Sequence, residues 1–219
     1  MSSFSLARWI EERQADQYDL HRKYINPHMA RAMQIIGFDK IYVRGEGAYL
    51  WDADGNRYLD LLSGFSVFNL GRSHPVVKQA MMEFLSLDRP SLVKMDCPLL
   101  AGLLAEELVR RMPPGLDAVF FANSGADAVD TAIKFARYAT RRPRVVYLDH
   151  AFHGLTLGTL SINGGEAFKK GFEPLIPGTV MVEMNDLAAL ERELRKGCLL
   201  YTSDAADDLL CVDLGGRRI

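Results

Sequence analysis

The chain has 219 residues, enough for one compact domain or a domain and a half. With 48% hydrophobic and 25% charged residues it can bury a core, which excludes collagen-like, disordered and coiled-coil readings. A formal net charge of −2 gives no electrostatic reason for a polyanion partner, and no nucleic acid is expected. Cys97, Cys198 and Cys211 are an odd count at unrelated spacings without CxxC, so neither a disulfide framework nor a thiolate zinc site is expected. The start, MSSFSLARWIEERQ, carries charges where a signal peptide needs an apolar stretch. No run approaches the roughly 20 apolar residues that span a bilayer. The expected setting is a reducing cytoplasm, away from membranes.

Residues 1–36 read as helix, with Met29, Met33 and Ile36 at helical spacing after an Asn26-Pro27 entry, and Gly37 closes the segment. The period then changes. β-Rich runs at 41–43, 49–51 and 58–61 are separated by Gly45-Glu46-Gly47 and Asp54-Gly55-Asn56, which predicts a small antiparallel ribbon. A Gly-rich crossing segment (63–75) follows. Helices are predicted near 75–87 and 97–112, the second stopped by Pro113-Pro114-Gly115.

From there the chain alternates. AVFFAN (118–123) is a continuous apolar run of the kind that buried parallel strands show. GADAVDTAIKFARYATR (125–141) reads as an amphipathic helix with Ala128, Ala132, Phe135 and Ala136 on one face. RVVYLD (144–149) and TVMVEM (179–184) read as strands, and 186–196 as a helix ending at Gly197. Strand, helix, strand at this spacing predicts an α/β fold: a parallel sheet covered by helices. There is no internal repeat and no low-complexity segment.

The most informative stretch is FFANSGADAVDTAIK (120–134), a strand end, an Asn123-Ser124-Gly125 turn and a helix start. Two readings fit it. Ser124 and Asp127 make an S-x-x-D capping box, which by itself accounts for the local residues. Alternatively the free N–H groups of Gly125 and Ala126, with the Ser124 hydroxyl, face an anion at the helix dipole's positive end. No GK[ST] follows, so this is not a Walker loop, and it is not a G-x-G-x-x-G turn either. The second stretch is LDHAFHGLTLGTLS (148–161), where His150 and His153 lack a third ligand, so no metal is expected. Phe152-His153-Gly154 would offer an aromatic face beside the anion cradle, which together suit a planar, phosphorylated cofactor.

Three blocks in order carry a resemblance to a known family. They are GAYLWDADGNRYLDLLSGFSVFNLGRSHP (47–75), FFANSGADAVDTAIKFAR (120–137) and FHGLTLGTLS (152–161). Across roughly 25–196 the chain resembles the amino-terminal half of class III pyridoxal-phosphate aminotransferases, the ornithine, acetylornithine, putrescine and ω-amino group. The resemblance implies a fold-type-I transferase, pyridoxal 5'-phosphate as cofactor, and an amine and a 2-oxo acid as substrates, with a homodimer for the full-length protein. It implies that Ser124, Gly125 and Ala126 hold the cofactor phosphate, that Phe152 stacks on the pyridine ring and that His153 lies beside it. Phe65 falls where the family often places an aromatic on the substrate side, although a core aromatic fits its local sequence equally well. Asp127 stands where Glu is more usual, and Arg72 where the family often has His.

A third departure is larger. The family's Schiff-base lysine and the Asp against the pyridine nitrogen lie in motifs this chain does not contain, so no catalytic residue is assigned and turnover by this chain is not expected. Lys23, Lys40, Lys78, Lys94, Lys134, Lys169, Lys170 and Lys196 all stand outside the family's context, Lys134 as a solvated or snorkelling residue. The expected organisation is a helical segment and ribbon (1–74), belonging to a small domain, then the first part of the large cofactor-binding domain (75–197). Residues 198–219 match nothing the family places there and are expected to be a foreign tail, as from a frameshift or a chimeric join. Three other readings stay open: a phosphate-binding chain without chemistry, another enzyme of class III ancestry, and a non-functional fragment that binds nothing.

Overall fold

In the N-terminal segment, helix ends are set by side chains rather than by long apolar runs. A computed structural model describes residues 4–90, 93, 95–197 and 200–202. Helix α1 (Leu6–Arg13) starts at Ser5, whose Oγ accepts from Arg8 N at 3.3 Å. After a tight turn, α2 (Gln17–Tyr24) runs to the Asn26-Pro27 break. Asn26 Oδ1 then accepts from His28 N and Met29 N, both at 3.0 Å, and opens α3 (Pro27–Ile35) with proline in its first turn. The helical segment expected over 1–36, with its entry at Asn26-Pro27, is present as three α-helices. Pro27 has no N–H to extend α2, and the extended backbone of Asn26 turns the chain.

The expected ribbon is present as β1 (Tyr42–Glu46), β2 (Tyr49–Asp52) and β3 (Arg57–Leu59), all antiparallel and in that order. Its keystone is Asp52, buried at 3% exposure. Oδ1 accepts from Asp54 N (3.0 Å) and Asn56 N (2.8 Å), while Oδ2 accepts from Asn56 Nδ2 (3.0 Å) and the Tyr58 hydroxyl (2.7 Å). One carboxylate thus shapes the whole β2–β3 turn, with Gly55 at φ +84° supplying the left-handed corner. Beyond β3 the chain is pinned back on the ribbon. Arg72 exchanges backbone hydrogen bonds with Gly47, donates from Nε to Asp60 Oδ2 (2.7 Å), and lies over the Phe68 ring. Residues 63–66 form a single left-handed turn, labelled α4 (Ser63–Ser66), before α5 (Pro75–Ser86).

Contacts divide the chain into two units, Met1–Val93 and Lys94–Ile219. Helix α5 therefore groups with the ribbon, whereas the expected organisation placed 75–197 together. The Arg72 anchorage and the Ser73 Oγ bond to Gly45 O (2.7 Å) tie the start of α5 to the ribbon.

In the second unit, α6 (Leu99–Val109) leads to residues 118–123, where the apolar run predicted a strand. Among the described residues none forms: the run has no ladder partner there, and Phe120 and Phe121 stay 60% and 45% exposed. Helix α7 (Gly125–Thr140) follows, then β4 (Val145–Leu148), α8 (Leu157–Ser161), α9 (Glu166–Lys169), β5 (Thr179–Val182) and α10 (Leu187–Arg195). Strand β4 is central, with β5 on one side and β6 (Leu200–Thr202) on the other, both parallel to it. Residues 198–199 and 203–219 of the expected tail lie outside the described residues.

Alternation along β4 sends Val145 and Tyr147 to one face, against Ile133 of α7, Ile162 and Val129, and sends Val146 to the other, against Val182, Val180, Ala189 and Leu190. The sheet is covered on both faces, the expected α/β arrangement. The covered face of α7 is Val129 and Ile133; Ala128, Ala132 and Phe135 of the predicted apolar face stay exposed. Both faces of that helix carry apolar residues, so periodicity did not settle which one meets the sheet.

The hydrogen bonds from Asn56 and Tyr58 outweigh burial and hold the Asp52 carboxyl down to about 2 from an ordinary 3.8. A depressed folded-state value means that Asp52 stabilises above the unfolded value, and that this contribution is lost as pH falls through 4 towards 2. Accordingly, D52N should melt below wild type at pH 7, and the two melting temperatures should converge near pH 2, as followed by thermal circular dichroism.

Candidate cofactor site

At the start of α7 the backbone leaves the helix direction at Ser124, with φ −159° and ψ 166°. The Ser124 Oγ accepts from Asp127 N (3.1 Å), and Asp127 Oδ2 accepts from Asn123 N (3.1 Å). This reciprocal pair is the capping box expected from the sequence. Its closure has a second effect, since it turns the Asp127 carboxylate back onto Asn123. No described residue accepts from Gly125 N–H or Ala126 N–H, and the Ser124 hydroxyl hydrogen remains available to donate. A Cβ on Gly125 would meet nothing within 4 Å, so the helix start is open on that side. Three converging donors at the positive end of a 16-residue helix fit a phosphate dianion. The capping and anion-binding readings are therefore compatible, because the cap leaves those donors unused.

The 149–154 loop reaches the same place from the carboxyl end of β4. Asp149 Oδ1 accepts from Met184 N (2.6 Å) and ties the strand ends together. At Gly154, φ is +118°, and a Cβ there would sit 2.5 Å from Ala126 Cβ, so the loop passes directly over the first turn of α7. Buried Asn163 donates from Nδ2 to Gly154 O (3.2 Å), and Gly164 N donates to Ala151 O (2.7 Å). Further along, a Cβ on Gly158 would collide with Asp130 Oδ1 at 2.0 Å, which shows how tightly α8 seats on α7. Phe152 is partly buried and meets the Phe168 ring edge-on, centroids 5.5 Å apart. His153 is partly buried beside it.

Ser124, Gly125 and Ala126 thus share one helix start, and Phe152 and His153 belong to the loop laid across it. Phe65 belongs to the other unit, 77% exposed, within four consecutive residues of positive φ: Ser63, Gly64, Phe65 and Ser66. His150 is exposed at φ +60°, and among the described residues no three His, Cys, Asp or Glu side chains gather for a metal. Nor is any described helix long and apolar enough to cross a membrane.

Three residues around the site had no signal in the sequence. Asn163 is one, and Asp130, whose Oδ1 is buried without a hydrogen-bond partner, is another. Lys169 is the third: it is 5% exposed, with Nζ 2.9 Å from the Tyr147 hydroxyl and 3.2 Å from Glu166 Oε1. Burial pulls its pKa down, but the bonds to Tyr147 and Glu166 prevail and raise it above 10.5. The close approach at Gly154 predicts that G154A loses about 1–3 kcal/mol of stability by urea unfolding, from steric overlap and an unfavourable φ.

Comparison with known proteins shows the family. A family model described as Aminotransferase class-III matches residues 31–206. Acetylornithine aminotransferase from Halalkalibacterium halodurans is 41% identical over 158 residues, which are 71% of this chain and 40% of that protein. An ornithine aminotransferase from Toxoplasma gondii shares the fold, with TM-score 0.76 at 21% identity over 92% of this chain and 48% of the other. Taurine:2-oxoglutarate aminotransferase from Bifidobacterium kashiwanohense, in complex with PLP and glutamate, gives TM-score 0.67 at 27% identity over 80% of this chain and 39% of the other. The chain spans less than half the length of each. The family match runs past residue 197, where the sequence reading began a foreign tail. With a family match over residues 31–206, the chain belongs to the class III aminotransferases, pyridoxal-phosphate enzymes of fold type I.

Proposed function

We propose that this chain provides the phosphate cradle and the ring-stacking loop of a transaminase that moves an amino group from an amine or ω-amino acid to a 2-oxo acid. The observation that supports this best is the passage of Gly154 over Ala126, which sets an aromatic-bearing loop against a helix start with three unused donors. Ser124 Oγ and the N–H groups of Gly125 and Ala126 would hold the phosphate, Phe152 would lie against the pyridine ring, and His153 would sit beside it. Phe65 would face the substrate. When bound, pyridoxal phosphate supplies an electron sink that lets the amino group leave one carbon and join another. The chain's own part is to fix the phosphate, exclude water from one ring face and hold the ring in register. In this proposal the complete enzyme is a cytoplasmic homodimer, and this chain by itself binds cofactor without turnover, because none of its lysines stands in the family's context.

The test is direct binding of pyridoxamine 5'-phosphate to the chain by fluorescence titration. This form has no aldehyde to condense with surface lysines. Saturable binding displaced by inorganic phosphate is the expected result. S124A should weaken it roughly tenfold, the worth of one hydrogen bond to a charged group. Absence of saturable binding, or binding indifferent to both phosphate and Ser124, would overturn the proposal.

A further inference from the structure

Helix α9 has only four residues, held at its ends by Phe168 N to Gly165 O (3.1 Å), Lys170 N to Glu166 O (3.2 Å) and Phe172 N to Lys169 O (3.0 Å). So short a helix does not hold its orientation unaided. Its anchor is Lys169, whose ammonium reaches under the sheet to Tyr147 of β4, 2.9 Å from the hydroxyl and 4.8 Å from the ring centroid. Tyr147 is itself fixed in the core with Ile133, Val145 and Ile162. The adjacent residue, Phe168, is about half exposed and is not wedged in that core. Its ring lies against Gly165, where a Cβ would come within 2.9 Å, and meets Phe152 edge-on at 5.5 Å and 62°. The placement of Phe168 therefore follows from where α9 is held, and Phe152 packs against its ring. A buried ammonium is a costly anchor compared with an apolar side chain of equal size. What it adds is direction, since a hydrogen bond fixes one geometry where apolar packing accepts several.

We propose that Lys169 is a positioning residue for the cofactor ring: by fastening α9 to Tyr147 it sets Phe168, which sets the face that Phe152 presents to the pyridine. This inference rests on the cofactor reading above. It concerns the ring and leaves the phosphate cradle untouched, so the two contributions separate in one experiment. Pyridoxamine 5'-phosphate and inorganic phosphate are titrated separately into wild type, K169M, K169R, F152A and K169M/F152A. K169M should bind pyridoxamine phosphate about three- to tenfold more weakly, the worth of one well-placed aromatic contact, with an unchanged affinity for inorganic phosphate. K169R, which keeps a cation with donors, should recover most of that loss. F152A should lose a similar factor, and the double variant no more than F152A alone.

An equal loss for both ligands would make Lys169 a general fold residue and overturn the inference. So would wild-type binding by K169M, or additive losses in the double variant. Failure of the cofactor reading looks different: wild type would then hold pyridoxamine phosphate no more tightly than inorganic phosphate.

Discussion

Strand β4 has no free face, and the second unit is built on that fact. Val145 and Val146 point in opposite directions, and both are completely removed from solvent. Such a strand is stable only between two layers, so α7 and α8 must lie on one side and α10 on the other. Burying each valine contributes roughly 1.5–3 kcal/mol, a large fraction of what holds a unit this small. The position of α7 follows from Ile133 meeting Val145 and Tyr147, and with it the position of the helix start that carries the donors. The loop from Asp149 to Gly154 emerges from the carboxyl end of the same strand. Both halves of the site are therefore placed by one two-sided core residue pair.

From that core outward, precision comes from missing side chains as much as from present ones. Gly154 lets a loop touch the first turn of α7, and Gly158 lets α8 sit against Asp130. Hydrogen bonds then fix what close approach allows, with Asn163 holding Gly154 and Asp149 holding Met184. The first unit follows a different logic. There a single carboxylate, Asp52, satisfies the β2–β3 turn, and a single guanidinium, Arg72, joins the crossing segment to the ribbon. Arg72 replaces the histidine the family often shows. It works by reaching Asp60 and Phe68 together, which takes the length and the fork of an arginine.

Local chemistry was legible in the sequence wherever one segment decided its own shape. Asn26-Pro27, Asp54-Gly55-Asn56 and Ser124 with Asp127 all do structurally what their residue types announce. Two expectations about sheet and helix faces failed because the answer lay elsewhere in the chain. Residues 118–123 have a strand's composition, but a strand also needs a partner, and none of the described residues provides one. On α7 the apolar residues surround more than one face, and the covered one was chosen by Val145 and Tyr147. Lys169 was illegible for the same reason, since its partner Tyr147 lies 22 residues earlier in the chain. Even so, the start of α7 was legible from sequence, because a capping box advertises itself within four residues.

The run of left-handed residues around Phe65 has a consequence for how this position can vary. Four successive positive φ angles, three of them at residues bearing a Cβ, admit unbranched side chains at some cost and resist branching at Cβ. If Phe65 faces substrate as proposed, exchange for tyrosine, tryptophan, leucine or methionine keeps the backbone, whereas valine, isoleucine or threonine would distort it. A library built to retune donor preference here would therefore lose its β-branched members to misfolding before any selection on substrate took place. The shape of the main chain restricts the palette at this position.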